Sequence, residues 1–368
     1  MLHSQPLSIL HTESSCGWGG QELRILTESE GMLARGHQVR IIAPEESNIY
    51  QQAKKRNIPC TALPIARKNL KGLFALHKWL KNNPVDVINS HSSTDSWLSA
   101  LANLCLKPSI PLVRTRHVSA PVSNNRSTRW LYTKASDFIV TTGIRLKQTL
   151  QEENHFPAAM LTSIPTGMST QRFYSADKQA ARATLNLEAD RFTLGIMATI
   201  RTWKGHLYLI DALKALQRPD IHLLVIGDGP SRAALEARIA EHQLEAQVTL
   251  VGNQEEVTPW LNALDLFILP SYANEGVPQS LMQAMLCELP VISTPIGSTA
   301  ELVLHEQTGL MVKPKDSQDL LHALQRLIDN PELRDRLAKR GREHVLGAYT
   351  LDHMLDSMEK VFYSSLKR

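Results

Sequence analysis

Short apolar runs ending in polar or small residues alternate along this 368-residue chain with longer stretches whose apolar residues recur every three or four positions. The runs LSILHT (7–12), HQVRIIAP, VDVINSHS, IPLVRTRH and DFIVTTG are short and continuously apolar, the composition of strands buried on both faces. The first is followed by a helical pattern from about Gln21 to Arg35, which Gly36 ends. A polar segment around 170–190, STQRFYSADKQAARATLNLEADR, interrupts the alternation. It then resumes with FTLGIMA, a helix from about His206, IHLLVIGDGP, VTLVG, LDLFILPS and PVISTPIG. Three helical segments close the chain: SQDLLHALQRLIDN, PELRDRLAKRGREHVLGAY and LDHMLDSMEKVFYSSLKR. Strand–helix alternation implies parallel sheets, and at this length it implies two cores. The expected fold is α/β, with two Rossmann-like doubly wound domains facing a cleft. Their expected limits are 1–170 and 171–345, with a terminal helix in 346–368 packing back on the first domain.

The balance of 40 Lys+Arg against 36 Asp+Glu is too even to argue for a nucleic-acid partner. Cys16, Cys60, Cys105 and Cys287 are scattered without metal-ligand spacing and read as reduced core residues of a cytoplasmic chain. The N-terminal residues lack a basic segment followed by a clean apolar stretch, so no signal peptide is expected. No run approaches the roughly 18–20 apolar residues of a spanning helix. The expected location is the cytoplasm, in solution or resting on the inner face of the membrane.

Ligands of doubly wound sheets bind outside the carboxyl ends of the strands, and the chemistry-bearing loops fall there. GWGGQE (17–22) sets Gly19 and Gly20 between a strand and a helix, where backbone can approach an anion. GDGPSR offers Gly227 in the same position after a later strand. Neither completes the G-x-G-x-x-G dinucleotide fingerprint, since Glu22 and Arg232 stand where the last glycine is needed. ATIRTWKGH places Arg201 and Lys204 at the end of the strand that opens the second half. NEGVPQSLMQAM follows LDLFILPS, with Glu275 and Gly276 at the mouth of a helix and Pro278 suited to its first position. Val277, Leu281, Ala284 and Met285 then share one helical face. Two cations and a helix N-terminus suit a diphosphate. No D-x-D pair offers a metal to that diphosphate, so its charge is expected to be met by Arg201 and Lys204, with no metal and no cofactor.

These segments, in this order, resemble the retaining glycosyltransferases of family 4, which have the GT-B fold of the glycogen-phosphorylase-like superfamily. The likeness runs through GWGGQE, VINSHS, RTRH, IPTGMSTQRF, IRTWKG, VIGDGP, LVG, LPSYANEGVPQSLMQAM and PVISTPIGSTAELV. It implies a hexosyltransferase using a nucleotide-sugar, UDP- before GDP-. Glu275 would accept from donor-sugar hydroxyls, with the amides near Gly276 and Val277 facing the diphosphate. Arg201 and Lys204 would stabilise the departing nucleoside diphosphate, and His117 of RTRH would contact the donor sugar or stabilise the transition state. Gly19, Gly20, Gly227, Asn253 and Pro278 complete the implied donor set, and Asn274 lies among side chains that would select the sugar. The chain departs from the family at Gln283, where a glutamate normally holds the ribose, and at Thr166, where asparagine is usual.

The acceptor half is read from charge. Arg114, Arg116, Arg126, Arg129 and Lys134 fall in a segment without an acid, and Arg67, Lys68, Lys71, Lys78 and Lys81 in another. In the second, Leu70, Leu73, Phe74, His77 and Leu80 read as the apolar face of an amphipathic helix. A solvated helix packed on the sheet explains this, as does contact with an anionic membrane surface or a phosphorylated glycolipid. His91 is a further candidate for lining the acceptor side. The function expected is transfer to a saccharide or glycolipid in lipopolysaccharide or cell-envelope glycan assembly. A sugar-nucleotide epimerase of the same fold and a nucleotide-sugar-binding protein with weakened catalysis remain alternatives, the latter prompted by Gln283.

Overall fold

The structure, a computed structural model, describes residues 5–117, 121–273 and 275–367. The chain divides into two compact units, Met1–Gly167 with Leu351–Arg368, and Met168–Thr350. In the first, β1 (Ser8–Thr12), β2 (Gln38–Ala43), β3 (Cys60–Ala62), β4 (Val87–Ser90), β5 (Leu112–Arg116), β6 (Phe138–Thr141) and β7 (Leu161–Ser163) form a parallel sheet. Its order is β3-β2-β1-β4-β5-β6-β7. In the second, β8 (Phe192–Met197), β9 (Ile221–Ile226), β10 (Val248–Gly252), β11 (Leu266–Leu269), β12 (Val291–Ser293) and β13 (Leu310–Met311) form a parallel sheet in the order β10-β9-β8-β11-β12-β13.

The period of two along each strand sends alternate residues to opposite faces, which is why the runs are apolar throughout. In the first unit Ile9, Val39, Val87, Val113 and Val140 face one layer, and Leu10, Ile42, Ile88, Leu112 and Ile139 the other. The first layer is closed by Met354, Leu355, Met358 and Phe362 of the terminal helix Leu351–Ser365. In the second unit Leu194, Ile196, Leu223 and Val225 pack beneath the helices His206–Leu216 and Ser317–Ile328. Leu224, Ile226, Phe267 and Leu269 pack against the helix Gln279–Leu286.

The unit boundary follows Gly167, not residue 170, and the chain returns to the first unit at Leu351, not 346. Residues up to Ala348 complete the helix Pro331–Ala348 of the second unit. Met168 is tied into that unit by its amide, which donates to the Tyr349 carbonyl at 2.8 Å. All four cysteines are free thiols, but only Cys287 is buried; Cys16 and Cys105 are exposed, and Cys60 is half-buried. Among the described residues no helix is long and apolar enough to cross a membrane.

Candidate active site

Each sheet changes winding direction once, between β1 and β4 in the first and between β8 and β11 in the second. At such a point the flanking loops diverge and leave a crevice at the strand ends. In the second unit those loops carry Arg201–Gly205, after β8, and Glu275–Pro278, after β11. Lys204 Nζ donates to Glu275 Oε1 at 2.6 Å. Glu275 is buried, with only 5% of its surface exposed, whereas Lys204 is half-buried. The loops are tied further by the Tyr272 amide, which donates to the Trp203 carbonyl at 2.8 Å. Arg201 is exposed and stacks its guanidinium 5.1 Å from the centre of the Trp203 ring. Beside them His206 is kept neutral: burial, then the charge of Lys204, lowers its pKa to about 4.

The helix begins at Gln279, one residue later than expected, because Pro278 is extended (φ −69°, ψ 120°) and precedes the first turn. Its first-turn amides have no helix carbonyl to bond, and Gly276 and Val277 make no hydrogen bond among the described residues. The helix is buried nearly all round, through Leu281, Met282, Ala284, Met285 and Leu286. Gln283 is half-buried on that helix. Gly297, in the loop after β12, has φ +61°, and a Cβ there would stand 1.9 Å from the Glu275 carbonyl oxygen. That close approach holds the Glu275 loop from behind.

The Gly227 amide is already spent on the Gly252 carbonyl, at 2.8 Å. Asn253 is exposed beyond β10, the outermost strand, two strands away from β8. Asn274 lies outside the described residues.

In the first unit the loops at the switch point are Glu13–Gly19, after β1, and the His91–Ser92 turn, after β4. Gly19 precedes, and Gly20 opens, the helix Gly20–Ala34. Asp95 accepts from the amides of His91 and Ser92 at 2.9 and 3.0 Å and from the hydroxyls of Thr12 and Ser14 at 3.0 and 3.1 Å. Glu13 accepts from the Ser15 amide at 2.7 Å, the Ser92 hydroxyl at 2.5 Å and the Gln21 side chain. Burial, and then the neighbouring Asp95, raises the Glu13 pKa; burial also raises that of Asp95. His117, half-buried at the end of β5, hydrogen-bonds His91, which in turn bonds His11.

Of the expected surface residues, two are buried and a third, Arg116, is half-buried. His91 is 4% exposed and sits between two other histidines, so it does not line an acceptor face. Arg114, also 4% exposed, stacks 4.4 Å over the Tyr132 ring, and Arg116 donates to the Tyr132 hydroxyl at 3.0 Å. They share a face of β5, and Tyr132 claims both. Arg126, Arg129, Lys71 and Lys78 are exposed as expected. His11, Glu13, Asp95 and Gly297 were missed. The sequence signal for the histidines was a recurrence, one near the carboxyl end of each of the runs LSILHT, VDVINSHS and IPLVRTRH.

Two protein-family models match: "Glycosyltransferase Family 4" over residues 18–172 and "Glycosyl transferases group 1" over residues 177–344. A D-inositol 3-phosphate glycosyltransferase of Saccharomonospora viridis is 26% identical, the match covering 93% of this chain and 88% of that protein. The UDP-Gal:alpha-D-GlcNAc-diphosphoundecaprenol alpha-1,3-galactosyltransferase of Escherichia coli is 25% identical, covering 80% and 79%. Among solved structures, HepE of Anabaena in complex with UDP superposes with a TM-score of 0.86 at 20% identity, over 97% of this chain and 100% of that one. The first match ends at residue 172 and the second begins at 177, a few residues past the unit boundary after Gly167, and both halves carry the Rossmann-like sheets that HepE shares. The chain belongs to the family 4 glycosyltransferases and has their GT-B fold.

Proposed function

We propose that this glycosyltransferase moves a hexose, with retention, from a UDP-sugar to a saccharide or glycolipid acceptor of the cell envelope. The observation that carries this reading is the Lys204–Glu275 ion pair at the switch point of the second sheet, beside Arg201. It sets a carboxylate for sugar hydroxyls next to a cation for phosphate. Glu275 Oε2 accepts from a hydroxyl of the donor sugar while Lys204, through its remaining N–H bonds, and Arg201 meet the pyrophosphate. The amides of Gly276 and Val277 and the helix N-terminus add donors to the same anion.

The glycosidic C–O bond breaks as the UDP oxygen leaves, and the acceptor oxygen bonds to the anomeric carbon on the same face. The acceptor proton passes to the departing phosphate. In such a displacement the protein's main task is to stabilise negative charge on the leaving group, and one preorganised donor is worth about 10²–10³ in rate. The family resemblance adds a contact from His117 to the donor sugar. UDP is favoured because HepE was crystallised with UDP and with UDP-glucose, and the E. coli relative is named for UDP-Gal. An envelope acceptor is favoured by that relative's diphosphoundecaprenol substrate and by a lipopolysaccharide core mannosyltransferase of Rhizobium meliloti, 30% identical over 61% of this chain and 65% of that one.

The test is a thermal-shift screen of nucleotides, followed by UDP release from a panel of UDP-sugars. UDP is expected to raise the melting temperature more than GDP, by mass action on the folded state. Glu275→Ala and Lys204→Ala are expected to remain folded by circular dichroism and to lose about 10²–10³ of turnover. Near-normal turnover in either variant would remove that residue's assigned role, and conversion of a UDP-sugar without any acceptor would point to an epimerase instead.

A further inference from the structure

Three strands of the first sheet, β1, β4 and β5, deliver a histidine each to one point. Register explains the meeting: His11 lies opposite Asn89, and Ser90 opposite Arg114, so each histidine stands two residues further along than the partner of the one before. Residues two apart share a face, and the rings form a stair with successive centroids 5.2 Å apart. His11 Nδ1 is 2.9 Å from His91 Nε2, and His91 Nδ1 is 2.9 Å from His117 Nε2. Burial, together with the charge of Arg24, keeps all three rings neutral.

A neutral imidazole has one N–H and one lone pair. His91 uses both nitrogens, so it donates in one direction and accepts from the other. The whole stair therefore has two proton arrangements. In one, every proton points toward His11, whose Nε2 then carries an N–H. That nitrogen is buried and has no hydrogen-bond partner among the described residues, and an orphaned buried N–H is the costlier defect. In the other, His11 leaves only a lone pair there; the protons then run from His11 through His91 to His117, whose Nε2 accepts one.

We propose that His11 and His91 are positioning residues that hold His117 in the tautomer with its proton on Nδ1, so that the ring offers a substrate oxygen an N–H donor and not a lone pair. The use of that N–H rests on the reading that His117 contacts the donor sugar. The tautomer itself does not.

Nitrogen-15 NMR of the full-length enzyme labelled at histidine, without substrate, reads the tautomer directly. Wild type is expected to carry the His117 proton on Nδ1. In His91→Asp, whose carboxylate oxygen stands near the His91 Nδ1 position and can only accept, His117 is expected to shift to the Nε2–H form, with kcat lowered about tenfold and donor KM little changed. His11→Asp, which can only accept from His91 Nε2 and so turns the His91 protons around, makes the same test should His91→Asp fail to fold. His117→Asn, whose amide N–H lies near the Nδ1 position, is expected to keep more turnover than His117→Gln. A wild-type proton on Nε2, or a His117 tautomer unchanged by both aspartate variants, overturns the inference. Full turnover in His117→Ala, with the wild-type NMR signature intact, instead overturns the sugar contact and with it the use of this N–H.

Discussion

At the scale of single residues, the donor loops were the legible part of the site. Arg201, Lys204 and Glu275 stand in loops that follow apolar strand runs, and a charged residue there has a position that a parallel sheet assigns to ligands. Their mutual pairing at 2.6 Å was not legible, because it joins residues 71 apart through loops whose path depends on Gly297. His11 was hidden for the opposite reason: it lies inside an apolar strand run, where a histidine reads as core. Gln283 is legible as a departure and has a measurable consequence. It is half-buried; on the proposed reading a carboxylate there would be a charged acceptor for a ribose hydroxyl, and such charge-assisted bonds are stronger than neutral ones by about 1 kcal/mol. Gln283→Glu is therefore expected to tighten UDP about fivefold in titration calorimetry. Unchanged or weaker binding would place the ribose elsewhere.

At the scale of elements, the long central strands and amphipathic helices were recognisable, while the edge strands β3, β7 and β13 were not. They have two or three residues each, too few to show a period, and they exist because a neighbouring strand offers a ladder. The helix Leu70–Asn82 shows a different failure. Side-chain size favoured a buried face of Leu70, Leu73, Phe74, His77 and Leu80. The face turned inward is Gly72, Leu76 and Leu80, with Leu70 and Phe74 exposed by 68% and 65%. Gly72 sets that rotation, since a Cβ on it would come 2.7 Å from the Pro64 carbonyl oxygen. Two large apolar side chains are thus left outside next to Lys71 and Lys78 on a helix with no acid, a combination suited to an anionic bilayer surface. Phe74→Asp is expected to lower sedimentation with anionic vesicles about fivefold, about 1 kcal/mol, and to leave UDP release from a UDP-sugar with a soluble acceptor unchanged. Equal, negligible binding of wild type to neutral and anionic vesicles would dismiss the membrane contact. The Glu275 loop gives a second test of an element. Gly297→Ala adds a methyl at a left-handed position against the Glu275 backbone, so turnover is expected to fall at least tenfold, while strain costs only about 1–2 kcal/mol of stability by urea titration. Normal turnover would mean that the loop's position does not matter to the reaction.

At the scale of the whole molecule, the buried ionisable groups set how stability depends on pH. His11, His91, His117 and His206 are held neutral by burial, with pKa values lowered from 6.5 to about 3 for His11 and about 4 for His206, and well below 6.5 for the other two. Below pH 6.5 the unfolded chain takes up protons on these rings that the folded chain refuses, so they make stability fall as pH drops. Glu13, Asp95 and Glu28 act with the opposite sign. Burial raises each of them, Glu13 to about 8 from 4.5, so the folded chain keeps protons that the unfolded chain releases, and stability falls as pH rises through that window. At pH 4.5 the four imidazoles outnumber the three carboxyls, and the two glutamates are by then themselves half protonated in the unfolded chain. Near pH 6 the two sets nearly cancel. By pH 8 the imidazoles are neutral in both states and only the carboxyl effect remains. Each uncompensated proton is worth about 1.4 kcal/mol per pH unit. The urea midpoint is therefore expected to be highest near pH 6 and lower at both 4.5 and 8. Glu13→Gln, which keeps the acceptor for Ser92 but cannot ionise, is expected to flatten the decline toward pH 8 and leave the acid side as it was. A wild-type midpoint that climbs steadily from pH 6 to 8 would show that Glu13 is ionised in the folded protein, with the Ser92 and Gln21 contacts stabilising its charge against burial.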